Sequence, residues 1–192
     1  MLVNSSPAIS REEYLRLEHQ ATYKSEYHKG QVFAMAGASR NHNRIVTNVS
    51  TSLDIQLKSR NCNNYSNDMR VSIRNGERYL YPDIVVTCGE ETFEDTNKDI
   101  LINPLIIIEV LSPSTEAYDR GAKFLYYQTI ESLREYVLVS QYPRRIEIFR
   151  KQKDGAWLYR SLNEMPERLE LEAIDCMLDS EDIYSKVDME SI

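Results

Sequence analysis

Glu109 stands inside "PLIIIEVLSPS" (residues 104–114), an almost unbroken apolar run of the kind a strand needs when both its faces are covered. A carboxylate in that setting costs several kcal/mol unless something cationic meets it. Two roles compete for it: a core acid paired with an Arg or Lys, or a metal ligand. Earlier in the chain, Pro82-Asp83 opens a second apolar strand, Ile84-Val85-Val86. If the two strands pair antiparallel, the start of the first lies beside the end of the second, and Asp83 meets Glu109. Carboxylates that close repel, and a shared proton or a bound cation relieves them. An all-oxygen pair with room for water suits Mg²⁺ or Mn²⁺ better than zinc.

Other elements must hold these acids in place. Ser10-Arg-Glu-Glu13 is a capping-box pattern that starts a helix near residue 10. "YKSEYHKGQVFAMAG" predicts a hairpin turning at Lys29-Gly30. From Asn41 to about Ser59, Ile45, Val49, Leu53 and Leu57 recur at a helical spacing. Four strands are expected at "MRVSIR", "YPDIVVTC", "PLIIIEVLS" and "REYVLVSQ", with one helix over "TEAYDRGAKFLYYQTIESL" between the last two. A final hairpin, "RRIEIFRK" and "AWLYRS", turns at Asp154-Gly155, and the segment after it carries only weak patterning.

The 192 residues show no repeat or linker and predict one domain, 1–192, with an acidic C-terminal segment from about residue 162. A composition 42% hydrophobic and 28% charged, without a long apolar run or a secretory leader pattern, predicts a cytoplasmic protein with no membrane partner. Cys62, Cys88 and Cys176 lack ligand or framework spacing and are expected to be ordinary thiols. The net charge of -7 disfavours nucleic acid at first sight, but residues 162–192 hold ten acidic and two basic side chains. The preceding body is close to neutral.

Pro82-Asp83, an apolar strand bearing Glu109, then a helix and another strand, resemble the core of the PD-(D/E)XK nuclease superfamily. "YPDIVVTCGE", "IIIEVLSPSTEAYDRGAKFLYY" and "LREYVLVS", with "SEYHKGQVFAMAGASRNHNRI" upstream, resemble more closely the Uma family of bacterial restriction endonucleases, over about residues 10–161. The resemblance implies an α/β fold, a restriction-endonuclease-like mixed β-sheet flanked by helices. It also implies Mg²⁺ or Mn²⁺ on Asp83 and Glu109 and cleavage of DNA, duplex by expectation, by a homodimer. The superfamily places a lysine two residues after the strand acid, where this chain has Leu111. The family resemblance moves that role to Lys123 on the following helix, and it aligns Glu26 with an acid on the first hairpin. Against this, Asp119 and Lys123 are spaced for a plain exposed salt bridge.

Among lesser candidates, His42 at the start of the long helix is expected to be a cap or a core contact. Tyr126 and Tyr127 suit either base stacking or the core. Arg70, Arg74 and Arg78 suit phosphate contacts or a strand's wet face. The leading expectation is a metal-dependent endonuclease. A silent nucleic-acid-binding module of the same fold, and an oligomeric interaction protein with structural carboxylates, stand as alternatives.

Overall fold

The computed structural model describes residues 8–163 and 166–188; residues 1–7, 164–165 and the last four residues of the acidic segment lie outside the described part. Ser10 caps α1 (Arg11–Glu18) by accepting the Glu13 amide. The hairpin β1 (Ser25–His28) and β2 (Gln31–Ala34) turns through Lys29 and Gly30, both at positive φ (46° and 94°). α2 (Arg40–Leu57) buries Ile45, Val46, Val49, Leu53 and Leu57 as one stripe. β3 (Cys62–Ser66), β4 (Arg70–Ile73), β5 (Arg78–Leu80), β6 (Ile84–Cys88), β7 (Ile100–Leu101) and β8 (Ile106–Leu111) follow.

The expected single helix after β8 is broken into α3 (Glu116–Tyr118), a wider π turn over Asp119–Lys123, and α4 (Phe124–Tyr127). Gly121, a weak helix former, sits in the middle of the π turn. Then come β9 (Glu135–Ser140), the hairpin β10 (Arg145–Lys151) and β11 (Trp157–Leu162), β12 (Arg168–Leu171), β13 (Cys176–Asp179) and α5 (Ser180–Ile183).

The strands form a five-stranded sheet, β2-β1-β5-β4-β7, a six-stranded sheet, β11-β10-β9-β8-β6-β3, and the β12-β13 pair. Both large sheets are mixed: β8 and β9 run parallel, as do β4 and β7. The fold is therefore the expected α/β class of mixed sheets flanked by helices.

Alternation along β8 divides the core. Ile106, Ile108 and Val110 face α2 in one apolar cluster, whereas Ile107 and Leu111 join Val71, Leu80, Phe124 and Tyr127 in a second cluster between the two sheets. Glu109 is on that second face, enclosed on both sides. No helix among the described residues is long and apolar enough to cross a membrane.

One expectation is corrected. Cys62 and Cys88 are not free thiols. They are register partners on β3 and β6, 4.0 Å apart at Cα, and form a disulfide, a pairing set by strand register that spacing in the sequence does not reveal. Cys176 alone remains a buried thiol. The acidic, weakly patterned C-terminal segment packs onto the body. Leu169, Leu171, Ile174, Leu178, Ile183 and Tyr184 are buried with α2 and the six-stranded sheet, and the acids occupy the outward positions between them.

Removing residues 166–192 to lower the negative charge is therefore expected to unfold the protein. Leu171→Ala alone should cost about 2–5 kcal/mol in urea denaturation, because Leu171 is fully buried. A cost below about 1 kcal/mol would show that this segment is not part of the main core.

Candidate active site

β6 and β8 are antiparallel with Ile84 opposite Ile108, so the residue before Ile84 meets the residue after Ile108. The structure thus brings Asp83 and Glu109 together. The Asp83 amide donates to Glu109 Oε2 at 3.3 Å, and the Val110 amide donates to Asp83 Oδ2 at 2.7 Å. Main-chain bonds of this kind fix both carboxylates to the strand ends without using up all their oxygens.

Lys123 reaches into the same place from the π turn. Its Nζ lies 2.9 Å from Glu109 Oε1, 3.5 Å from Glu26 Oε1 and 3.5 Å from Asp119 Oδ1. Asp119 and Lys123 are both buried, so their pairing is not the exposed salt bridge that their spacing allows. Glu26 comes from β1, in the other sheet, and is also buried. All four residues singled out in the sequence, Asp83, Glu109, Lys123 and Glu26, thus belong to one cluster. Leu111 is 3% exposed and packs in the apolar cluster between the sheets, so a lysine there would have to enter that cluster.

Tyrosines complete the enclosure. Tyr127 donates to Glu109 Oε1 at 3.1 Å. Tyr118 lies 3.3 Å from Glu26 Oε2 and 2.8 Å from His28 Nε2, and the Tyr81 amide donates to Glu26 Oε1 at 3.4 Å. Tyr127 is wholly buried, which removes it as a base-stacking surface. Arg78 stacks over Tyr126 at 3.9 Å, and Arg70 is buried against Asp99 at 2.9 Å. Of the three arginines considered for phosphate contact, Arg74 is the exposed one.

Burial dominates the electrostatics. It pushes the Glu109 carboxyl well above its ordinary range; Lys123 opposes this, and the charges of Asp83 and Asp119 add to it. Asp119 is raised for the same first reason. At Glu26 burial also acts upward, but Lys123 and His28 outweigh it and the carboxyl titrates low. Burial opposes the charge on Lys123, yet Glu109, Tyr127, Glu26 and Asp119 around it hold the ammonium more tightly than in water.

His42 does more than expected. Its amide donates to Oγ of Ser39, the residue that caps α2, at 3.0 Å, and its side chain reaches Asp83, with Nε2 3.1 Å from Oδ2. Its Nδ1 is buried without a hydrogen-bond partner among the described residues. With Val110 also on Oδ2, the Asp83 carboxylate is held from two sides. His28 and Tyr118 carry no signal in the sequence, and Tyr127 suits the core or stacking equally, because their roles depend on which sheet faces which.

Oxygens remain for a cation. Glu109 Oε1 is occupied by Lys123 and Tyr127, and Asp83 Oδ2 by Val110 and His42; Asp83 Oδ1 and Glu109 Oε2 are the less engaged pair. Among the described residues no three His, Cys, Asp or Glu side chains form a ready-made cage for an ion. Two carboxylate oxygens with the remaining positions left to water or substrate fit a hard, hydrated divalent ion, and do not fit structural zinc.

Comparison with known proteins finds similarity along most of the chain. The profile of the Uma2 family, described as "Putative restriction endonuclease", matches residues 11–179. Protein sll1609 of Synechocystis sp. is 40% identical over 172 residues, covering 90% of this chain and 96% of its own. Protein slr1290 of the same organism is 38% identical over 178 residues, covering 93% and 92%. A crystal structure described as a putative nuclease belonging to DUF820, from Anabaena variabilis, superposes with a TM-score of 0.76 at 19% identity, covering 92% of this chain and 98% of that one.

Lys123→Met should destabilise the protein by about 3–5 kcal/mol near neutral pH, because Glu109 is left buried without its cation. Without the ammonium, the folded-state pKa of Glu109 rises further above its unfolded value. The variant's remaining stability is then present at low pH and lost as pH rises. Urea midpoints of both proteins at about pH 5 and about pH 8 should show a gap that widens with pH; a constant gap would mean that Lys123 acts through packing alone.

Proposed function

The chain belongs to the Uma2 family, and on that premise we propose that it is a metal-dependent nuclease hydrolysing phosphodiester bonds in duplex DNA. The observation that carries this proposal is the convergence of Lys123 on Glu109 beside Asp83, with Nζ 2.9 Å from Glu109. A folded core gains little from a buried ammonium ringed by three acids. A phosphoryl-transfer site gains a fixed positive charge next to a pair of cation-binding oxygens.

A Mg²⁺ or Mn²⁺ ion on Asp83 and Glu109 would offset the phosphate's charge and make a bound water more acidic. The other tasks fall to the chain's own groups. Lys123 neutralises charge developing on the phosphate or orients the attacking water, and Glu26 and Asp119 hold its ammonium in place. His42 and the Val110 amide fix one oxygen of Asp83, and the other would be the one available to hold the ion. A homodimer is part of the proposal, since the two equivalent strands of a duplex are served by two equivalent sites.

Glu135 supplies the internal contrast. It is also buried in the six-stranded sheet, but Arg150 at 2.7 Å and the amides of Glu172 and Ala173 satisfy it completely. That is what a structural acid in this protein looks like. Glu109 instead shares its cation with two other carboxylates and lies against a fourth.

Nicking of supercoiled plasmid in Mn²⁺ should be lost in Asp83→Asn and Glu109→Gln. In Lys123→Gln it should fall on the order of 100-fold or more with little change in Mn²⁺ affinity, since the lost interaction acts in the transition state. His42→Ala should weaken Mn²⁺ binding more than His42→Asn, which can still donate to Asp83. Salt-sensitive DNA retention without nicking would leave a binding module; loss of both would leave an interaction protein with structural carboxylates. Parallel assays on RNA test the choice of DNA.

A further inference from the structure

Glu26 presents its two oxygens to different neighbours. Oε1 faces Lys123 Nζ at 3.5 Å and the Tyr81 amide at 3.4 Å, whereas Oε2 faces the Tyr118 hydroxyl at 3.3 Å and His28 Nε2 at 3.7 Å. Each contact is long, so neither side alone fixes the carboxylate. Tyr118 also lies 2.8 Å from His28 Nε2, which closes a triangle of imidazole, hydroxyl and carboxylate behind the lysine. The proposed reaction gives neither His28 nor Tyr118 a task.

Packing fixes the imidazole in this place. Its ring meets Phe33 and Tyr126 edge to face, with centroids 5.2 and 5.4 Å away, and the Tyr118 ring stands at 5.9 Å. Arg78, the register partner of His28 on β5, is turned away over Tyr126 at 3.9 Å, so Nε2 meets the hydroxyl and the carboxylate. The His28 side chain is 15% exposed against 7% for Lys123 and forms the outer end of the cluster.

The Tyr118 hydroxyl has one proton and two acceptors in reach. If Nε2 is bare, the hydroxyl donates to it over the shorter distance, and Glu26 Oε2 loses its donor. If Nε2 carries a proton, His28 donates to the Tyr118 oxygen and the hydroxyl donates to Glu26. The charge on Glu26 decides between the two. Against burial, Lys123 and then His28 keep this carboxyl ionised. A negative oxygen 3.7 Å from Nε2 favours a proton on that nitrogen and repels a lone pair.

We propose that His28 is a positioning residue for Lys123: a proton on its Nε2 turns the Tyr118 hydroxyl toward Glu26 Oε2, and the held carboxylate keeps the Lys123 ammonium against Glu109. The inference rests on the nuclease reading, which gives that ammonium its task at the phosphate. His28 orients a chain of two hydrogen bonds and leaves the chemistry to the lysine. Loss of either link frees Glu26 to rotate, and a lysine held by fewer partners spends less time in the productive geometry.

The whole protein, labelled with ¹⁵N in histidine and lysine, allows a test by NMR without divalent ions. The chain has three histidines, and the His28 signals should show the proton on Nε2. The slowly exchanging Lys123 ammonium, identified by its loss in Lys123→Gln, should be seen in the unaltered protein and in His28→Gln, whose amide nitrogen can donate in place of Nε2. It should be lost to water exchange in His28→Phe and in Tyr118→Phe, which keeps the ring and its packing. With Mn²⁺, plasmid nicking should fall on the order of tenfold in kcat in those two variants with little change in KM, and stay near the unaltered rate in His28→Gln. The double variant should fall no further, because both substitutions break one chain. A bare Nε2, an ammonium signal indifferent to His28→Phe and Tyr118→Phe, or a His28→Gln as impaired as His28→Phe overturns the proposal. Failure of the nuclease reading looks different: the unaltered protein nicks no DNA, while the ammonium signal still depends on His28 and Tyr118.

Discussion

The Lys123 ammonium is the interaction on which the arrangement of this protein depends. It contacts Glu26 from the five-stranded sheet, Glu109 from the six-stranded sheet and Asp119 from its own helical segment, all within 3.5 Å. One charge therefore joins the two sheets and the helix that covers them. It also permits acids to be buried that would otherwise take up protons or drive the elements apart. The π turn follows from this requirement. It widens the helix where Asp119 and Lys123 both point inward, on a segment that an ordinary amphipathic helix would leave half in solvent.

The pairing of Asp83 with Glu109 is legible in the sequence because it depends on few steps. Pro82 marks where one strand begins, Pro113 lies just past the end of the other, and antiparallel register does the rest. The inward turn of Lys123 is legible only through resemblance. Its spacing from Asp119 fits a solvent-exposed pair equally well, and burial is decided by sheets distant in sequence. The remaining partners depend on the same long-range packing. Glu26, His28 and Tyr118 meet because β1 faces the helical segment, a relation that no local pattern encodes. His42 escapes a local reading because one residue has two roles, with an amide that the Ser39 cap receives and a ring that reaches Asp83.

The charge count misleads in a different way. Ten acids against two basic residues from Leu162 onward suggest a solvated tail, although Arg168–Leu171 alternates outward and inward as a covered strand does. Four residues of alternation are too few to outweigh that composition, and burial of Leu169 and Leu171 becomes visible only once α2 supplies a face to receive them. Arg70 shows the converse. Its place on a strand with other arginines suggests a wet face, but Asp99 lies close enough to neutralise it in the interior.

Supplying the cation from the helix also changes what the strand can be. A lysine at position 111 would lie on Glu109's face beside Ser140, where its stem would have to enter the apolar cluster between the sheets. Leucine there packs with Phe124 and Tyr127 instead. Leucine at this position thus closes the apolar layer between the sheets. The cost is that a buried ammonium must be held by groups from several elements, since a helix side chain lacks the register that would have fixed a strand lysine. Glu26 and Asp119 answer that cost, one from each side, and their number is explained by the distance the lysine has to bridge more than by any need of the core for charge.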